Sequence, residues 1–344
     1  MLAAPNSTHH HAADMAASAS AVNDQASFFR MPEWFDVLDR YGLPPDTARD
    51  AAQADDAVRL PLLHSGHRFS ALANYYSADF GPINASACTA SHATQLAKYF
   101  RSQRATHISL QPIREDAAWL PLLMDALRGQ HYLCDTFEVS TNWYLPCAGL
   151  SWADYLAARP SRLRNTFRRC RKKLEQEAGF RIEILSSDDE RLDVALDAYA
   201  RVYAQSWKEA EPYPHFIPAL CRMAAARGWL RLGVLWLNGQ AAAAQIWFVK
   251  DETASIYKLA YDGRLAKLGV GTVLTAALAE HVLDADHVQE IDFLTGDDSY
   301  KAEWMSHSRK LVGMLAYDSR SVSGLLGAVR HFGGRWVKKV VISK

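Results

Sequence analysis

One segment in the second half of the chain constrains the fold more than any other. Two largely apolar runs, 229–237 and 241–249, are joined by Asn238 and Gly239, the dipeptide most typical of a two-residue β-hairpin turn. A third strand-like run, 254–261, follows after a short turn. We therefore predict a three-stranded antiparallel meander in this segment.

A glycine-rich helix start follows the meander. The sequence GVGTVLTAALAEHVL begins at Gly269 and precedes another predicted strand over 288–294. Gly269 and Gly271 let backbone N–H groups converge at a helix N-terminus, whose partial positive charge suits a pyrophosphate. A tight turn without a ligand is the commoner explanation for such glycines. A Rossmann dinucleotide site is not favoured, because the third glycine is missing and the preceding strands are antiparallel.

A strongly basic helix is predicted to precede this region. The run PSRLRNTFRRCRKKLEQEAG begins at Pro160 and places Leu163, Phe167, Cys170 and Leu174 on one face. Its other faces carry seven basic residues, namely Arg162, Arg164, Arg168, Arg169, Arg171, Lys172 and Lys173. Three explanations stay open: a solvated face, contact with donor phosphates, or contact with an acidic acceptor.

The rest of the chain has a mixed α/β pattern. Between the basic helix and the meander we predict a strand over 180–185 and two helices. A capping box from Ser187 to Glu190 would open the first of these helices, and Trp207 would lie on its buried face. The first half alternates strand-like runs (58–63, 68–76, 107–112, 132–144) with helical ones (91–102, 117–128).

The composition is that of a globular protein. Lysine plus arginine equals aspartate plus glutamate, 38 each, so no net charge draws the chain to nucleic acid. Five scattered cysteines without C-x-x-C spacing disfavour disulfides and a zinc site. No run approaches the roughly 18 apolar residues of a membrane-spanning helix, and the Ala/Ser-rich N-terminus does not resemble a secretory signal. We therefore expect a cytoplasmic protein that needs no metal.

The order of meander, glycine-bearing loop, helix and parallel strand resembles that of the GNAT acyltransferases. The GNAT loop carries a basic residue or Gln, two further residues, and then G-x-G or G-x-A; here Lys267 stands one position closer to Gly269. A longer run, 159–313, includes SWKEAEPYPHFIP, IYKLAYD and IDFLTGDDSYKAEW and is similar to the Fem-like, double-GNAT acyltransferases. These include the acetyltransferase domains found with bacterial cellulose and exopolysaccharide genes.

The resemblance implies a mixed α/β (α+β) fold with two tandem GNAT-like domains, the N-terminal one degenerate. Together with the composition and periodicity of the two ends, it divides the chain into a disordered tail (1–27), the degenerate domain (28–158), the basic connecting helix (159–179), the GNAT acyltransferase domain (180–318) and a C-terminal cationic amphipathic helix (319–344).

The resemblance also implies a site for acetyl-CoA or another acyl-CoA. The strand with Gln245, Ile246 and Trp247 would line the pantetheine and supply a backbone N–H group that polarises the thioester carbonyl. The pyrophosphate would lie against the loop and helix start formed by Lys267, Leu268, Gly269, Val270, Gly271 and Thr272.

Candidate catalytic residues lie in IDFLTGDDSYKAEW. Asp292 is either a buried general base with a raised pKa or a residue that strand alternation exposes. The Fem-like motif has a tyrosine and a lysine at the positions of Tyr300 and Lys301. We expect Tyr300 to protonate the leaving thiolate and Lys301 to act as an electrostatic stabiliser.

Candidate substrate-binding residues are Trp207, Lys208, Tyr213, His215, Lys258, Tyr261 and Asp297. The first four form an aromatic and polar cluster that is either an acceptor wall or a packed tryptophan in a polar loop. Lys258 either serves an anionic ligand or lies on a solvated sheet face. Asp297 either binds substrate or caps a helix.

The C-terminal segment has the pattern of a cationic amphipathic helix. Its apolar residues, from Val322 to Val341, recur at helical spacing, and its basic residues occupy the other side. The helix either contacts anionic lipid or packs on the protein.

These features predict an N-acyltransferase, or O-acyltransferase, that uses acyl-CoA. The expected acceptor is an amine-bearing small molecule, glycan or lipid-linked compound in polysaccharide or cell-envelope biosynthesis, and the protein would be cytoplasmic or peripheral at the inner face of the membrane. Two alternatives remain: a Fem-like transferase that uses aminoacyl-tRNA, and a non-catalytic GNAT-like scaffold. Nucleic acid is otherwise not favoured, and the sequence leaves acyl chain length, acceptor and oligomeric state open.

Overall fold

The computed structural model describes residues 27–342, with side chains as far as residue 333. Apart from Ser27, the predicted disordered tail lies outside the described residues. The described chain forms two compact units. The first contains residues 27–35, 44–139 and 311–342, and the second contains residues 36–43 and 140–310.

The first unit contains a mixed sheet. Its strands are β1 (Arg49–Gln53), β2 (Arg59–Ser65), β3 (Arg68–Ala71), β4 (His107–Arg114) and the part of β11 (His307–Asp318) from Leu311 onward, in that order. β1, β2 and β3 form an antiparallel meander, and β4 is parallel to β3. Its described helices are α1 (Pro32–Tyr41, which also enters the second unit), α2 (Ala90–Ser102), α3 (Trp119–Gly129) and α10 (Val322–Ile342). The chain crosses from β3 to β4 through α2.

The second unit has its own mixed sheet. The order is β5 (Tyr132–Pro146, from Ser140 onward), β10 (Glu290–Thr295), β9 (Thr253–Tyr261), β8 (Gln240–Lys250), β7 (Leu230–Leu237) and β6 (Arg181–Leu185). β7, β8 and β9 are antiparallel, whereas β10 is parallel to β9 after the crossover through α8 (Val270–Asp284). The predicted meander, its Asn238-Gly239 turn and the parallel crossover are therefore confirmed.

Helices cover both faces of this second sheet. The remaining helices of the unit are α4 (Trp152–Ala157), α5 (Ser161–Leu174), α6 (Glu190–Ala204), α7 (Phe216–Ala226) and α9 (Lys301–Trp304). Gln245 of β8 hydrogen-bonds to α8, whereas its neighbour Ile246 is paired with Lys258, which lies beside Tyr203 of α6. Successive strand residues point to opposite faces, so α6 and α8 lie on different sides.

Two local predictions are wrong. α6 is capped by Asp189, whose carboxylate accepts a hydrogen bond from the N–H group of Arg191, rather than by Ser187. Trp207 lies beyond the end of α6 and is 63% exposed, so it does not belong to the buried face of that helix. The cap lies two residues after the predicted one and the helix ends three residues before Trp207, and sequence pattern does not fix helix ends to within this distance.

The two units share one order of elements. In each, a three-stranded meander leads through a helix to a strand that is parallel to the third strand of the meander. The two crossover helices begin differently. At α2, Thr89 Oγ1 accepts from the N–H group of His92, and His92 Nδ1 accepts from that of Thr89, whereas Gly269 offers no side chain to cap α8. Among the described residues, no helix is long and apolar enough to cross a membrane.

Candidate functional site

The parallel strands β9 and β10 are paired along only part of their length. Their register runs from Glu290 opposite Thr253 to Asp292 opposite Ser255. Beyond Ser255, β9 continues to Tyr261 without β10 as its partner. This divergence opens the sheet next to the N-terminus of α8.

A cleft of about 630 Å³ lies at this divergence. Its wall includes Leu259, Ala260 and Tyr261 from β9 and Gly271, Thr272 and Thr275 from the first turns of α8. Trp207, Lys208, Gln245, Asp298 and Tyr300 also line it, together with Trp304, Glu303 and three residues of α5 (Arg162, Leu163 and Thr166). The cleft therefore contains predicted residues from each of the three roles.

The start of α8 depends on two glycines. Gly269 has a φ of +69° and lies against α5, where a Cβ atom would be 2.4 Å from Cys170 Sγ. A Cβ atom on Gly271 would be 3.0 Å from the Tyr261 ring. The first backbone N–H groups of a helix lack partners within the helix. They lie at the cleft because no side chain from either position covers them.

Gln245 of β8 hydrogen-bonds to the first turns of α8. Its amide donates to Thr275 Oγ1 at 2.8 Å and to the Gly271 carbonyl at 3.2 Å, while its own oxygen accepts from Trp247 Nε1 at 3.0 Å. Ile246 and Trp247 are fully buried. β8 is paired with β7 and β9 across all three residues, so the strand edge that borders the divergence belongs to β9.

The first two residues of the predicted pyrophosphate loop, Lys267 and Leu268, are at least partly exposed to solvent. Lys267 and Leu268 belong to a short 3₁₀ helix, Gly263–Leu268; Lys267 is exposed and Leu268 is half-buried. Val270 is buried in the core, and Thr272 lines the cleft.

Trp207, Lys208 and Tyr261 form another part of the cleft wall. The Trp207 and Tyr261 rings are 4.7 Å apart. Burial and the nearby Lys258 ammonium lower the pKa of Lys208 to about 8. A lysine in this state is a cation that can lose its proton near neutral pH.

Tyr300 and Lys301 follow β10 but point in different directions. The Tyr300 ring packs on the edge of Phe293, and burial beside Asp298 raises the pKa of its hydroxyl to about 12. Lys301 is buried, and its Nζ donates to the carbonyls of Thr295 at 2.7 Å and Phe293 at 3.2 Å. Burial lowers the pKa of Lys301. Tyr300 therefore lines the cleft, whereas Lys301 holds the end of β10.

Asp292 is buried in a polar network, so strand alternation does not expose it. Arg309 Nη2 lies 2.9 Å from both Asp292 Oδ2 and Glu290 Oε1. Asn142 Nδ2 donates to Asp292 Oδ1 and to the Leu294 carbonyl. The N–H group of Leu294, which has a φ of +53°, also donates to Asp292 Oδ1. This network supports the irregular end of β10, and Asp292 is not among the residues that line the cleft.

Four other predicted substrate residues lie outside the cleft lining. Lys258 is buried on the α6 face, where its Nζ donates to Glu211 Oε1 at 3.0 Å. Asp297 accepts a hydrogen bond from Trp143 Nε1 at 2.9 Å. Tyr213 and His215 lie in the segment that leads into α7, and His215 is exposed.

Sequence reasoning missed several residues of the cleft. Thr275 follows Gly271 by one helical turn, so the same glycine start could have indicated it. The sequence pattern around Leu163 and Trp304 is that of ordinary core residues, and nothing in the sequence indicates that Thr166 lines a cleft. Within the described residues, no cluster of three or more His, Cys, Asp or Glu side chains could hold a metal ion.

The comparisons with known proteins concern both the second unit and the fold. Residues 161–302 match the profile of the family described as Acetyltransferase (GNAT) domain. Among curated proteins, none matches the chain. Among solved structures, FemX is 8% identical with a TM-score of 0.60, and the match covers 89% of this chain and 96% of that one.

Two further structures have the same architecture. L-PGS from Bacillus licheniformis is 14% identical with a TM-score of 0.53, covering 89% of this chain and 97% of that one. A conserved protein of unknown function from Bacteroides thetaiotaomicron is 13% identical with a TM-score of 0.56, covering 88% and 96%. At these identities the likeness shows the fold alone.

The predicted fold class, mixed α/β with tandem GNAT-like units, is confirmed. The family match over residues 161–302 includes the cleft walls from α5 to Tyr300, and the chain is similar to the GNAT acetyltransferase domain there.

Proposed function

We propose that the second unit transfers an acyl group from a coenzyme A thioester to an amine-bearing acceptor. The observation that carries this proposal is the cleft beside the part of β9 that β10 leaves unpaired, which includes the uncapped start of α8. A helix N-terminus with exposed N–H groups suits a pyrophosphate, and an open strand edge offers N–H groups to an extended amide-bearing arm.

In this proposal each cleft residue has a separate role. The N–H groups of Gly271 and Thr272 hold the pyrophosphate, and Gln245 keeps that turn in place. The amine attacks the thioester carbonyl and the C–N bond forms. The nitrogen loses its proton to water, from which Tyr300 is later reprotonated, and the tetrahedral intermediate breaks its C–S bond. Backbone N–H groups at the free edge of β9 stabilise the oxyanion. Tyr300 keeps its proton at neutral pH and can donate it to the departing thiolate.

Two of the predicted catalytic residues, Lys301 and Asp292, are not among the residues that line the cleft. Lys301 fixes the carbonyls at the end of β10, and its positive charge remains an electrostatic stabiliser. Asp292 as a general base stays a prediction. Its pairing with Arg309 favours support of β10 instead.

A second candidate donor is an aminoacyl-tRNA. The resemblance to Fem-like transferases suggests it, and the exposed basic face of α5 beside the cleft favours it, because a phosphate backbone needs such a surface. The third hypothesis is that the protein is a non-catalytic scaffold. Within the first proposal, an acceptor in polysaccharide or cell-envelope biosynthesis follows from the resemblance to exopolysaccharide-associated acetyltransferases.

We also propose peripheral contact with the inner face of a membrane. α10 exposes an apolar stripe that includes Val322, Leu326 and Val329, which are 77%, 66% and 70% exposed. From Arg320 to the last residue the sequence contains no acidic residue. The side chains beyond residue 333, including Lys338 and Lys339 of the predicted basic side, lie outside the described part of the helix.

Calorimetry with acetyl-CoA tests the function. We expect saturable binding of one acetyl-CoA per chain, because the crossover helix of the first unit is capped by its own Thr89 and His92. Gly271→Glu should abolish this binding, because the new side chain meets Tyr261 and brings a negative charge to the pyrophosphate site.

Gly129→Glu is the matched control, since a Cβ atom at Gly129 meets no described atom beyond its own helix within 4 Å. It should bind acetyl-CoA as the wild type does. Failure of the wild type to bind acetyl-CoA or a longer acyl-CoA would overturn the proposal. Salt-sensitive tRNA binding would then support the second donor, and binding of neither would support a scaffold.

A further inference from the structure

A second cavity of the second unit lies away from the acyl cleft. It has a volume of about 450 Å³ and lies between α6 and the segment leading into α7. Its walls are mainly apolar and include Leu196, Ala200, Tyr203, Pro214 and Ile217. A cavity of this size and character can enclose a small organic ligand.

Two polar atoms at this cavity lack a hydrogen-bond partner among the described residues. They are the Tyr199 hydroxyl and Glu211 Oε2. Tyr199 is only 4% exposed. The other oxygen of Glu211 already accepts from Lys258 Nζ at 3.0 Å. Buried polar atoms are nearly always paired, so one donor and one acceptor left together point to a ligand that pairs with both.

The charges around the cavity select the kind of ligand. Lys258 neutralises Glu211, and Lys208 also lines the cavity. Both ammonium nitrogens lie close to the Tyr203 ring, 5.8 Å from its centroid for Lys208 and 6.0 Å for Lys258. Two cations and one carboxylate disfavour a third cation. A neutral hydroxyl group, in contrast, can accept from Tyr199 and donate to Glu211 Oε2.

We propose that this α6–α7 cavity binds a neutral compound with an apolar body and a hydroxyl group. Lys208 lines both this cavity and the acyl cleft, so the two adjoin at that residue. The proposal does not rest on the proposed function, whose acceptor carries an amine.

Benzyl alcohol is the probe, with toluene and benzylamine as matched compounds of the same apolar body. Binding to the full chain is followed by ligand-observed NMR. We expect benzyl alcohol to bind more tightly than either of the others. Tyr199→Phe should weaken benzyl alcohol about fivefold, as expected for one neutral hydrogen bond, and leave toluene unchanged. This variant should fold normally, because the hydroxyl that it removes has no hydrogen-bond partner in the part of the chain that the structure describes.

Tyr155→Phe is the control, since the buried Tyr155 hydroxyl donates to the Trp304 carbonyl at 2.9 Å. It should lower the free energy of unfolding and leave benzyl alcohol affinity unchanged. Equal affinity for benzyl alcohol and toluene, tighter binding of benzylamine, or no effect of Tyr199→Phe would overturn the proposal. Benzyl alcohol binding that Tyr199→Phe weakens, in a chain that does not bind acetyl-CoA, would support this proposal and overturn only the proposed function.

Discussion

Tyr300 and Lys301 are adjacent in sequence but differ in their exposure to solvent and in their contacts. Tyr300 is half-exposed at the cleft, whereas Lys301 is 4% exposed and bonded to the carbonyls of β10. Adjacent residues in a helical turn point about 100° apart, so only one of them can face a ligand. The sequence motif contains both residues but does not say which one reaches the cleft.

Replacing Tyr300 by phenylalanine tests the predicted proton donor. The ring and its packing on Phe293 stay, and only the hydroxyl is lost. We expect kcat for acetyl transfer to fall about 100-fold, while the acetyl-CoA affinity from calorimetry stays unchanged.

Tyr213→Phe, which lies outside the cleft lining, should keep full activity. Equal rates for Tyr300→Phe and the wild type would remove Tyr300 from the mechanism.

Lys208 makes stability depend on pH. Its folded-state pKa of about 8 is below the 10.5 of a free lysine, so the unfolded chain binds more protons between these values. Folding stability should therefore rise with pH across this window. Lys208→Met should be more stable than the wild type below about pH 8, and this advantage should disappear as the pH approaches 10.5.

Urea denaturation at a series of pH values measures this difference. Lys267→Met, at an exposed position, should show no such pH-dependent advantage. An advantage that stays constant with pH would mean that Lys208 titrates like an ordinary lysine.

At the scale of elements, the position of α5 against α8 decides the shape of the cleft. Gly269 lets the two helices approach because it has no side chain between the turn and Cys170. We expect Gly269→Ala to lower the free energy of unfolding by about 2 kcal/mol through overpacking. Acetyl-CoA affinity should fall with it, because the turn that holds the pyrophosphate moves.

The matched control is Gly129→Ala, at the end of α3. Apart from its own helix and chain neighbours, no described atom lies within 4 Å of its added Cβ, so this change should raise stability by about 0.5 kcal/mol. Cys170→Ala combined with Gly269→Ala should recover part of the loss, which denaturation of both single variants and the double variant would measure. Additive effects would show that the contact with Cys170 is not the cause.

At the scale of the whole molecule, α10 governs the proposed membrane contact. Sedimentation with anionic phosphatidylglycerol vesicles should bring down the full chain, and neutral phosphatidylcholine vesicles should not. The double variant Leu326→Asp with Val329→Asp should weaken this binding at least about tenfold, because it removes two exposed apolar side chains.

Val194→Asp changes an exposed valine on α6 and should bind vesicles normally. Equal binding of the double variant and the wild type would mean that the stripe on α10 does not contact lipid.

The sequence by itself determined the local features of the second unit. Asn238-Gly239 specified its hairpin, and Gly269 specified a helix start that needs a positive φ, because both depend on backbone conformations that few residues adopt. The order of meander, helix and parallel strand followed from these signals.

Only the tertiary structure decided which candidate residues share the cleft. The position of the cleft depends on where the pairing of β10 with β9 ends. A hydrogen bond between Arg309 and Asn142, which are distant in sequence, supports the structure there. The same network turns Asp292 away from the cleft lining, and strand pairing places Lys258 on the opposite face from Gln245. The unpaired atoms of Tyr199 and Glu211 were equally invisible in the sequence, because pairing is a property of packing rather than of residue type.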